Sequence, residues 1–223
     1  MAEMNTARHT ETAHAPRTKQ FLLAEPETRV LGWIARRLPA RVMPDHLTAL
    51  GVLAALGIAG AYVLSNGDKA WLWAASALLV VHWLGDSLDG TLARVRKAER
   101  PRYGYYLDHL VDAFATAAIG IGLGLSPYML LSVGLVIVIA YLILSVNTYL
   151  ETQAFGLFAL GYGRLGPTEA RLLLIGVNAL IAIGVVGSGL LDVLGLGLAG
   201  LMIAALVGRA GRNLKRLSEL EPA

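Results

Sequence analysis

Long apolar segments separated by short polar loops run through most of this 223-residue chain, and they leave few folds open to it. Apolar side chains make up 56% of the residues and charged ones only 16%, and the mean hydropathy is +0.58. A water-soluble domain of this length needs more polar surface. Because the segments approach the length of about 20 residues that a membrane-spanning helix requires, the sequence predicts an all-α integral membrane protein.

Turn and breaker residues divide the apolar sequence into six predicted transmembrane helices. These are residues 46–64, 69–95, 104–125, 126–151, 166–186 and 190–208. We expect one transmembrane domain over residues 44–208 and a charged tail over residues 209–223. Asp45 is expected to cap the first span. Gly51, Ala55 and Ala59 form a stripe of small residues in that span, which favours close helix contact.

Two different segments precede the first span. Residues 1–20 are polar and without periodicity, which predicts disorder, and they lack the apolar core of a cleavable signal peptide. In residues 21–40, Leu31, Ile34, Ala35 and Leu38 recur at helical spacing against several arginines. This pattern predicts an amphipathic helix on the membrane surface, and an ordinary solvated helix is the alternative.

The positive charges indicate the topology. Lys and Arg residues other than Lys69 concentrate before the first span, near residues 95–103, within 152–171 and in the tail. Six crossings place all those segments on one side, and the positive-inside rule makes that side cytoplasmic. We therefore expect a multi-pass protein of the cell membrane with both termini in the cytoplasm. The net charge of +3 follows from these flanks and does not indicate nucleic-acid binding.

Two pairs of carboxylates interrupt the apolar pattern. Asp86 and Asp89 lie near the end of the second predicted span, and Asp108 and Asp112 lie at the start of the third. An ionisable group at membrane depth costs at least about 2.5 kcal/mol, so such groups indicate function. Four carboxylates repel one another unless a cation lies between them, and hard oxygen ligands suit Mg²⁺ or Mn²⁺. We expect two ions, near the cytoplasmic face.

The full pattern, D-x2-D-G-x2-A-R-x9-G-x3-D-x3-D, resembles the signature of the CDP-alcohol phosphotransferase (CDP-alcohol phosphatidyltransferase) family. The resemblance implies an enzyme of phospholipid synthesis that transfers a substituted phosphate from a CDP-linked donor to an alcohol, releases CMP and forms a homodimer. It implies that the metal ligands are Asp86, Asp89, Asp108 and Asp112, with Asp112 also the general base. It implies that the nucleotide and pyrophosphate are bound by Asp45, His46, Leu47, Thr48, Gly90, Ala93, Arg94 and Gly104.

The acceptor alcohol is less constrained by the sequence. Family members with a phosphorylated acceptor typically carry Lys and Arg at the end of the fourth span, whereas residues 147–153 here contain one negative and no positive charge. We therefore expect an acceptor that is not strongly anionic, with Arg164 and Arg171 as the candidate acceptor-binding residues. The donor is either CDP-diacylglycerol, or a CDP-linked head group transferred to a lipid hydroxyl.

Two alternatives stay open. One is an enzyme of the phosphatidylglycerolphosphate or phosphatidylinositol-phosphate synthase type, in which the acceptor is phosphorylated. The other is a divalent-cation transporter that uses the intramembrane carboxylates as its site, although Arg94 beside such a site would repel the cation. The chain has no cysteine, which excludes disulfides, thiolate metal sites and a cysteine nucleophile.

Overall fold

A computed structural model describes residues 22–155, 166–187 and 189–221. Within those ranges the chain is all-helical, as the sequence predicts, and it contains no strand. The helices are α1 (Ala24–Ala35), α2 (Pro44–Leu64), α3 (Trp71–Val95), α4 (Pro101–Gly124), α5 (Leu131–Phe155), α6 (Pro167–Ala182) and α7 (Leu190–Leu220). The predicted disordered tail of residues 1–20 lies outside the described residues.

Four of these helices, α2, α4, α5 and α7, are long and apolar enough to cross a membrane. Helix α3 has 25 residues, but its tryptophans, His82 and aspartates lower its hydropathy. Helix α6 has only 16 residues. The chain thus supplies a helix for each of the six predicted spans, and the spanning role of α3 and α6 stays a prediction.

Helix α1 lies within the predicted segment 21–40 and is shorter than that segment. Its apolar face is buried against protein, because Leu31 and Ala35 join Leu47, Leu88 and Leu92 in one hydrophobic cluster. The helix therefore packs on the same part of α3 that carries the first carboxylate pair. Its location on a membrane surface stays a prediction.

Helices α2 and α3 touch through their backbones at Gly51 and Gly85. A Cβ at Gly85 would lie 2.6 Å from the Gly51 nitrogen and 2.7 Å from the Leu47 carbonyl oxygen. No side chain fits at these distances, so Gly85 permits the close contact that the small-residue stripe of the first span predicts. Asp86 follows immediately, and the contact therefore holds the first carboxylate pair against α2.

A buried polar group ties the middle of the bundle together. Asn178 of α6 is fully buried, and its side chain bonds the Tyr62 hydroxyl of α2 at 3.0 Å and the Ser76 hydroxyl of α3 at 3.3 Å. Buried polar groups are costly unless they are bonded. These bonds fix α6 beside α2 and α3, deeper in the bundle than the carboxylates.

The helix start at Pro44 differs from the prediction that Asp45 caps it. Met43 is the N-cap residue, and the His46 imidazole Nδ1 accepts from its backbone N–H at 3.2 Å. Asp45 lies inside the first turn, where a carboxylate favours the positive end of the helix dipole. Its carboxylate instead binds the Arg100 guanidinium at 2.5 Å, across the loop before α4.

Candidate active site

The two carboxylate pairs come together between α3 and α4. The carboxyl group of Asp112 is close enough to interact with that of Asp86, and Asp108 is close enough to interact electrostatically with both Asp112 and Asp89. Two separate sequence motifs thus contribute carboxylates to one acidic centre between adjoining helices. Such a contact between carboxyl groups requires a proton or a cation to offset their repulsion.

Asp89 is held by the first span. The Thr48 hydroxyl donates to Asp89 Oδ2 at 2.6 Å, and the Gly90 N–H donates to Oδ1 at 2.5 Å. Thr48 is itself buried, at 8% exposure, in the first turns of α2. Of the predicted nucleotide-proximal residues 45–48, Thr48 is therefore the one that directly contacts the acidic centre.

Arg171 of α6 supplies positive charge at the centre. Its guanidinium donates to Asp86 Oδ2 at 2.6 Å, and the two side chains are only 14% and 19% exposed. An ion pair this buried is far less screened by water than a surface pair. Arg171 was a candidate for acceptor binding, and the structure places it beside a predicted metal ligand.

The donor set suits a divalent cation by its chemistry. All four groups are hard carboxylate oxygens, and the contact between Asp86 and Asp112 needs neutralisation. In the described residues, however, no three acidic or histidine side chains are grouped around a single ion position. The reason is local: Asp86 is turned to Arg171 and Asp89 to Thr48.

Two motif glycines adjoin space that the described residues do not fill. Among those residues, a Cβ at Gly104 would meet nothing within 4 Å, and one at Gly90 would meet only the Arg94 guanidinium, at 3.5 Å. Neither glycine is therefore explained by helix packing, in contrast with Gly85. Arg94 is exposed and donates to the Thr91 hydroxyl at 3.0 Å. Open backbone beside a guanidinium is suited to a phosphate group.

The remaining predicted nucleotide-proximal residues lie in different surroundings. Leu47 is buried in the hydrophobic cluster beneath α1, so its side chain does not face the acidic centre. His46 caps α2. Asp45 and Arg100 lie at the surface. Ala93 is half-buried one turn after Asp89 on α3.

Helix α5 faces the centre with hydroxyl groups. The Ser145 hydroxyl donates to the Tyr141 backbone carbonyl at 3.0 Å, and the Tyr141 and Tyr149 hydroxyls lie close to Ser145 and close enough to interact electrostatically with Asp112. The spacing of four residues puts one hydroxyl on each turn of the same face. The Tyr149 ring also lies 5.1 Å from the His109 ring of α4. Apolar residues surround Tyr141, Ser145 and Tyr149 in the sequence, so no local pattern indicates this stripe of hydroxyls.

The negative charge at the end of the fourth span is neutralised. Glu151 Oε2 lies 2.6 Å from Arg209 Nε of α7, with side-chain exposures of 14% and 11%. Because it is paired with Arg209, Glu151 repels an anionic acceptor less than its charge in the sequence suggests. Arg209 belongs to the segment predicted as a tail, so nothing local in the sequence indicated the pair. Arg164, the other acceptor candidate, lies outside the described residues.

Two further side chains lie beside the centre. His82 is buried, at 4% exposure, one turn before Asp86, and its Nδ1 has no hydrogen-bond partner among the residues that the structure describes. The Trp83 indole N–H donates to Glu27 of α1 at 2.9 Å.

Known proteins resemble this chain in sequence and in fold. The family model for CDP-alcohol phosphatidyltransferase matches residues 41–208. A phosphatidylinositol phosphate synthase from Cutibacterium acnes is 35% identical over 88 residues, a match that spans 40% of either protein. The crystal structure of Mycobacterium tuberculosis phosphatidylinositol phosphate synthase with CDP-DAG bound is 26% identical, with a TM-score of 0.64 over 82% of this chain and 92% of that one. The same enzyme with manganese and citrate is 23% identical over 83% of this chain and 87% of that one, at a TM-score of 0.61, and shares the fold.

Proposed function

The chain belongs to the CDP-alcohol phosphatidyltransferase family, and on that premise we propose that it transfers a phosphatidyl group from CDP-diacylglycerol to the hydroxyl of an alcohol that carries no phosphate. Members of the family are transferases of phosphate-containing groups. The observation that carries the proposal is the meeting of Asp86, Asp89, Asp108 and Asp112 between α3 and α4, beside open backbone at Gly90 and Gly104.

The proposed step is a single displacement at phosphorus. The acceptor oxygen forms a bond to the phosphorus of the phosphatidyl group, the bond from that phosphorus to the CMP oxygen breaks, and CMP leaves. Asp112 accepts the proton of the acceptor hydroxyl. Asp86, Asp89, Asp108 and Asp112 would hold Mg²⁺ or Mn²⁺, which supplies charge neutralisation at the pyrophosphate. Arg94 would bind a phosphate oxygen, and Thr48 orients Asp89 through its 2.6 Å hydrogen bond.

CDP-diacylglycerol is favoured over a CDP-linked head group as the donor. The Mycobacterium tuberculosis enzyme whose structure resembles this chain was crystallised with CDP-DAG. The carboxylates lie where α3 ends and α4 begins, so a donor with its nucleotide at the helix ends would extend its acyl chains along them. A lipid-linked donor suits that position because its acyl chains stay in the bilayer.

An uncharged acceptor is supported by the lining of α5. Tyr141, Ser145 and Tyr149 present hydroxyls near Asp112, and the described part of α5 contains no Lys or Arg. Hydroxyl groups recognise the hydroxyls of an alcohol through hydrogen bonds, whereas an acceptor phosphate requires cations. Arg209 is close to this region but is paired with Glu151.

A phosphorylated polyol is the second candidate acceptor, and two specific observations favour it. The relatives named above are phosphatidylinositol phosphate synthases. The guanidinium of Arg171 lies within the acidic centre, where it would reach an acceptor phosphate if it released Asp86. The choice between the two acceptors therefore depends on whether Arg171 binds the substrate or stays with Asp86.

A product screen with the purified full chain tests the proposal. CDP-diacylglycerol or CDP-choline is supplied with Mg²⁺ or Mn²⁺ and a panel of alcohols, each in free and phosphorylated form, and products are identified by mass spectrometry. We expect CMP and a phosphatidyl product from CDP-diacylglycerol with free alcohols. If only phosphorylated polyols reacted, the acceptor would be a phosphorylated polyol and not an alcohol without phosphate. Absence of both metal-dependent turnover and metal-dependent CDP binding would refute the enzyme and favour cation transport.

A further inference from the structure

Glu27, on the N-terminal helix α1, joins two helices of the transmembrane domain. Its Oε1 accepts from the Trp83 indole N–H of α3 at 2.9 Å and from the Thr168 hydroxyl of α6 at 3.1 Å. Hydrogen bonds to a charged acceptor are about twice as strong as those between neutral groups. One half-buried carboxylate oxygen therefore connects three helices.

The two residues that Glu27 bonds stand one turn from the ion pair of the acidic centre. Asp86 follows Trp83 by three residues on α3, and Arg171 follows Thr168 by three residues on α6. Residues at this spacing share a helix face. Glu27 thus joins α3 and α6 one turn from the point where Arg171 reaches Asp86 at 2.6 Å.

A second contact ties α1 to the start of α6. The backbone N–H of Leu23 donates to Glu169 Oε1 at 2.9 Å, while Glu169 Oε2 accepts from the Gly166 N–H at 2.9 Å. Glu169 in this way fixes the first turn of α6 and joins it to α1. If α1 served only as a surface anchor, neither Glu27 of α1 nor Glu169 of α6 would need to accept hydrogen bonds across the contact between the helices.

We propose that Glu27 is a positioning residue for the transfer reaction, holding α6 against α3 so that Arg171 is placed at Asp86. This inference rests on the proposed function. Glu25, two residues earlier, is the control: within the part of the chain that the structure describes it pairs only with Arg29 on the same helix, and the two side chains are 79% and 76% exposed.

The kinetic consequence is expected mainly on the acceptor. The candidate nucleotide-binding groups Thr48, Arg94 and Gly104 lie on α2, α3 and α4, whereas Arg171 lies on α6. Glu27→Ala should raise the KM for the acceptor or lower kcat by about tenfold, since small displacements at a site are costly, and have a smaller effect on the binding of the CDP-linked donor, which Arg171 affects only through Asp86. Glu27→Gln should restore most of the activity because an amide oxygen still accepts both bonds. Glu25→Ala should behave as wild type.

A distance measurement tests the inference without turnover. Because the chain has no cysteine, spin labels can be placed uniquely at Val95→Cys on α3 and Ala170→Cys on α6, both at exposed positions. We expect the distance distribution to shift or broaden in Glu27→Ala and Thr168→Val, and to stay as in wild type in Glu25→Ala and Glu27→Gln. Since labelled protein need not be active, this readout stands even if the proposed substrates are wrong.

Two results would overturn the inference. The first is an unchanged distance distribution and unchanged acceptor kinetics in Glu27→Ala. The second is a loss of donor binding equal to the loss in acceptor kinetics, together with a lowered melting temperature that Glu27→Gln does not restore. That pattern would mean that Glu27 only stabilises the fold.

Discussion

At the scale of single residues, two carboxylates of the acidic centre are held by hydrogen bonds from other side chains of the protein. Asp86 is bonded by Arg171 and Asp89 by Thr48. Gly104 and Gly90, in contrast, leave open space on the helices that carry the carboxylates. The proposed substrate position therefore lies between carboxylates that are held by hydrogen bonds and open surface on the helices that carry them.

Gly104 provides a prediction at this scale. A Cβ there would contact nothing within 4 Å among the described residues, so Gly104→Ala should not lower the melting temperature. It should raise the KM of the CDP-linked donor by about tenfold, since a methyl group would keep the nucleotide from the backbone and one lost hydrogen bond to a charged group costs about 1.5–3 kcal/mol. Steady-state kinetics and thermal unfolding of the purified variant measure both effects.

Gly176 of α6 is the matched control, because a Cβ there also meets nothing within 4 Å and the residue lies outside the motif. Gly176→Ala should leave the donor KM unchanged and should not lower the melting temperature. Equal kinetic effects of the two substitutions would contradict a substrate contact at Gly104.

The residue types of the acidic centre could be predicted from sequence, but several of its partners could not. Spacing alone brings Asp86 and Asp89 to one helix face, and two adjoining helix ends bring Asp108 and Asp112 beside them. The bonds from Arg171 and Glu27 join residues 85 and 56 positions or more apart, and no periodicity in a single sequence reports such contacts. The predicted cap of α2 was wrong for a related reason: Met43 is the N-cap residue, its backbone N–H donates to the His46 ring, and Asp45 pairs with Arg100.

At the scale of elements, the close contact of α2 and α3 places the acidic centre. The backbones meet at Gly51 and Gly85, and the tolerance for a side chain differs sharply between the two. A Cβ at Gly85 would come within 2.6 Å of backbone, whereas one at Gly51 would come no closer than 3.5 Å. A side chain is thus excluded at Gly85, whereas the contact leaves room for one methyl group at Gly51.

Gly85→Ala should separate the two helices and move Asp86, which follows it. Overpacking of this kind costs about 1–3 kcal/mol, so the melting temperature should fall and CMP release should fall with it. Gly51→Ala in the same interface should change both far less. Equal tolerance of the two substitutions in thermal unfolding would show that the helices are not in backbone contact.

Most element boundaries follow the sequence closely because apolar length and proline set them, but α7 continues to Leu220, whereas the last span was predicted to end at residue 208. Pro44, Pro101 and Pro167 each stand at the first helical position of α2, α4 and α6, as expected of proline. The length of α1 was less well predicted, since its described helix ends at Ala35 whereas the apolar pattern continues to Leu38.

At the scale of the whole molecule, the arrangement of charges predicts which side of the membrane holds the acidic centre. The loops at the two ends of α3 differ in charge: Lys69 stands nearly alone before it, while Arg96, Lys97, Arg100 and Arg102 follow it. The positive-inside rule then places the end with the carboxylates in the cytoplasm.

The lysines at the two ends of α3 test this topology directly. In the cysteine-free chain, Lys97→Cys should react with a membrane-impermeant thiol reagent only after the cells are opened, and Lys69→Cys should react in intact cells. The unmodified chain, which has no thiol, is the control for background labelling. Reaction of both cysteines from the same side would show that α3 does not cross the membrane.

The central claim is that the carboxylates of α3 and α4 catalyse metal-dependent CMP release with Asp112 as the base. The most direct test is CMP release by purified protein with CDP-diacylglycerol, an alcohol panel and Mg²⁺ or Mn²⁺, comparing wild type with Asp112→Asn and with the exposed control Asp68→Asn. We predict that turnover requires metal, that Asp112→Asn lowers it by about 10²–10⁴-fold, as loss of a general base does, and that Asp68→Asn leaves it unchanged. Turnover by Asp112→Asn at the wild-type rate would contradict the account.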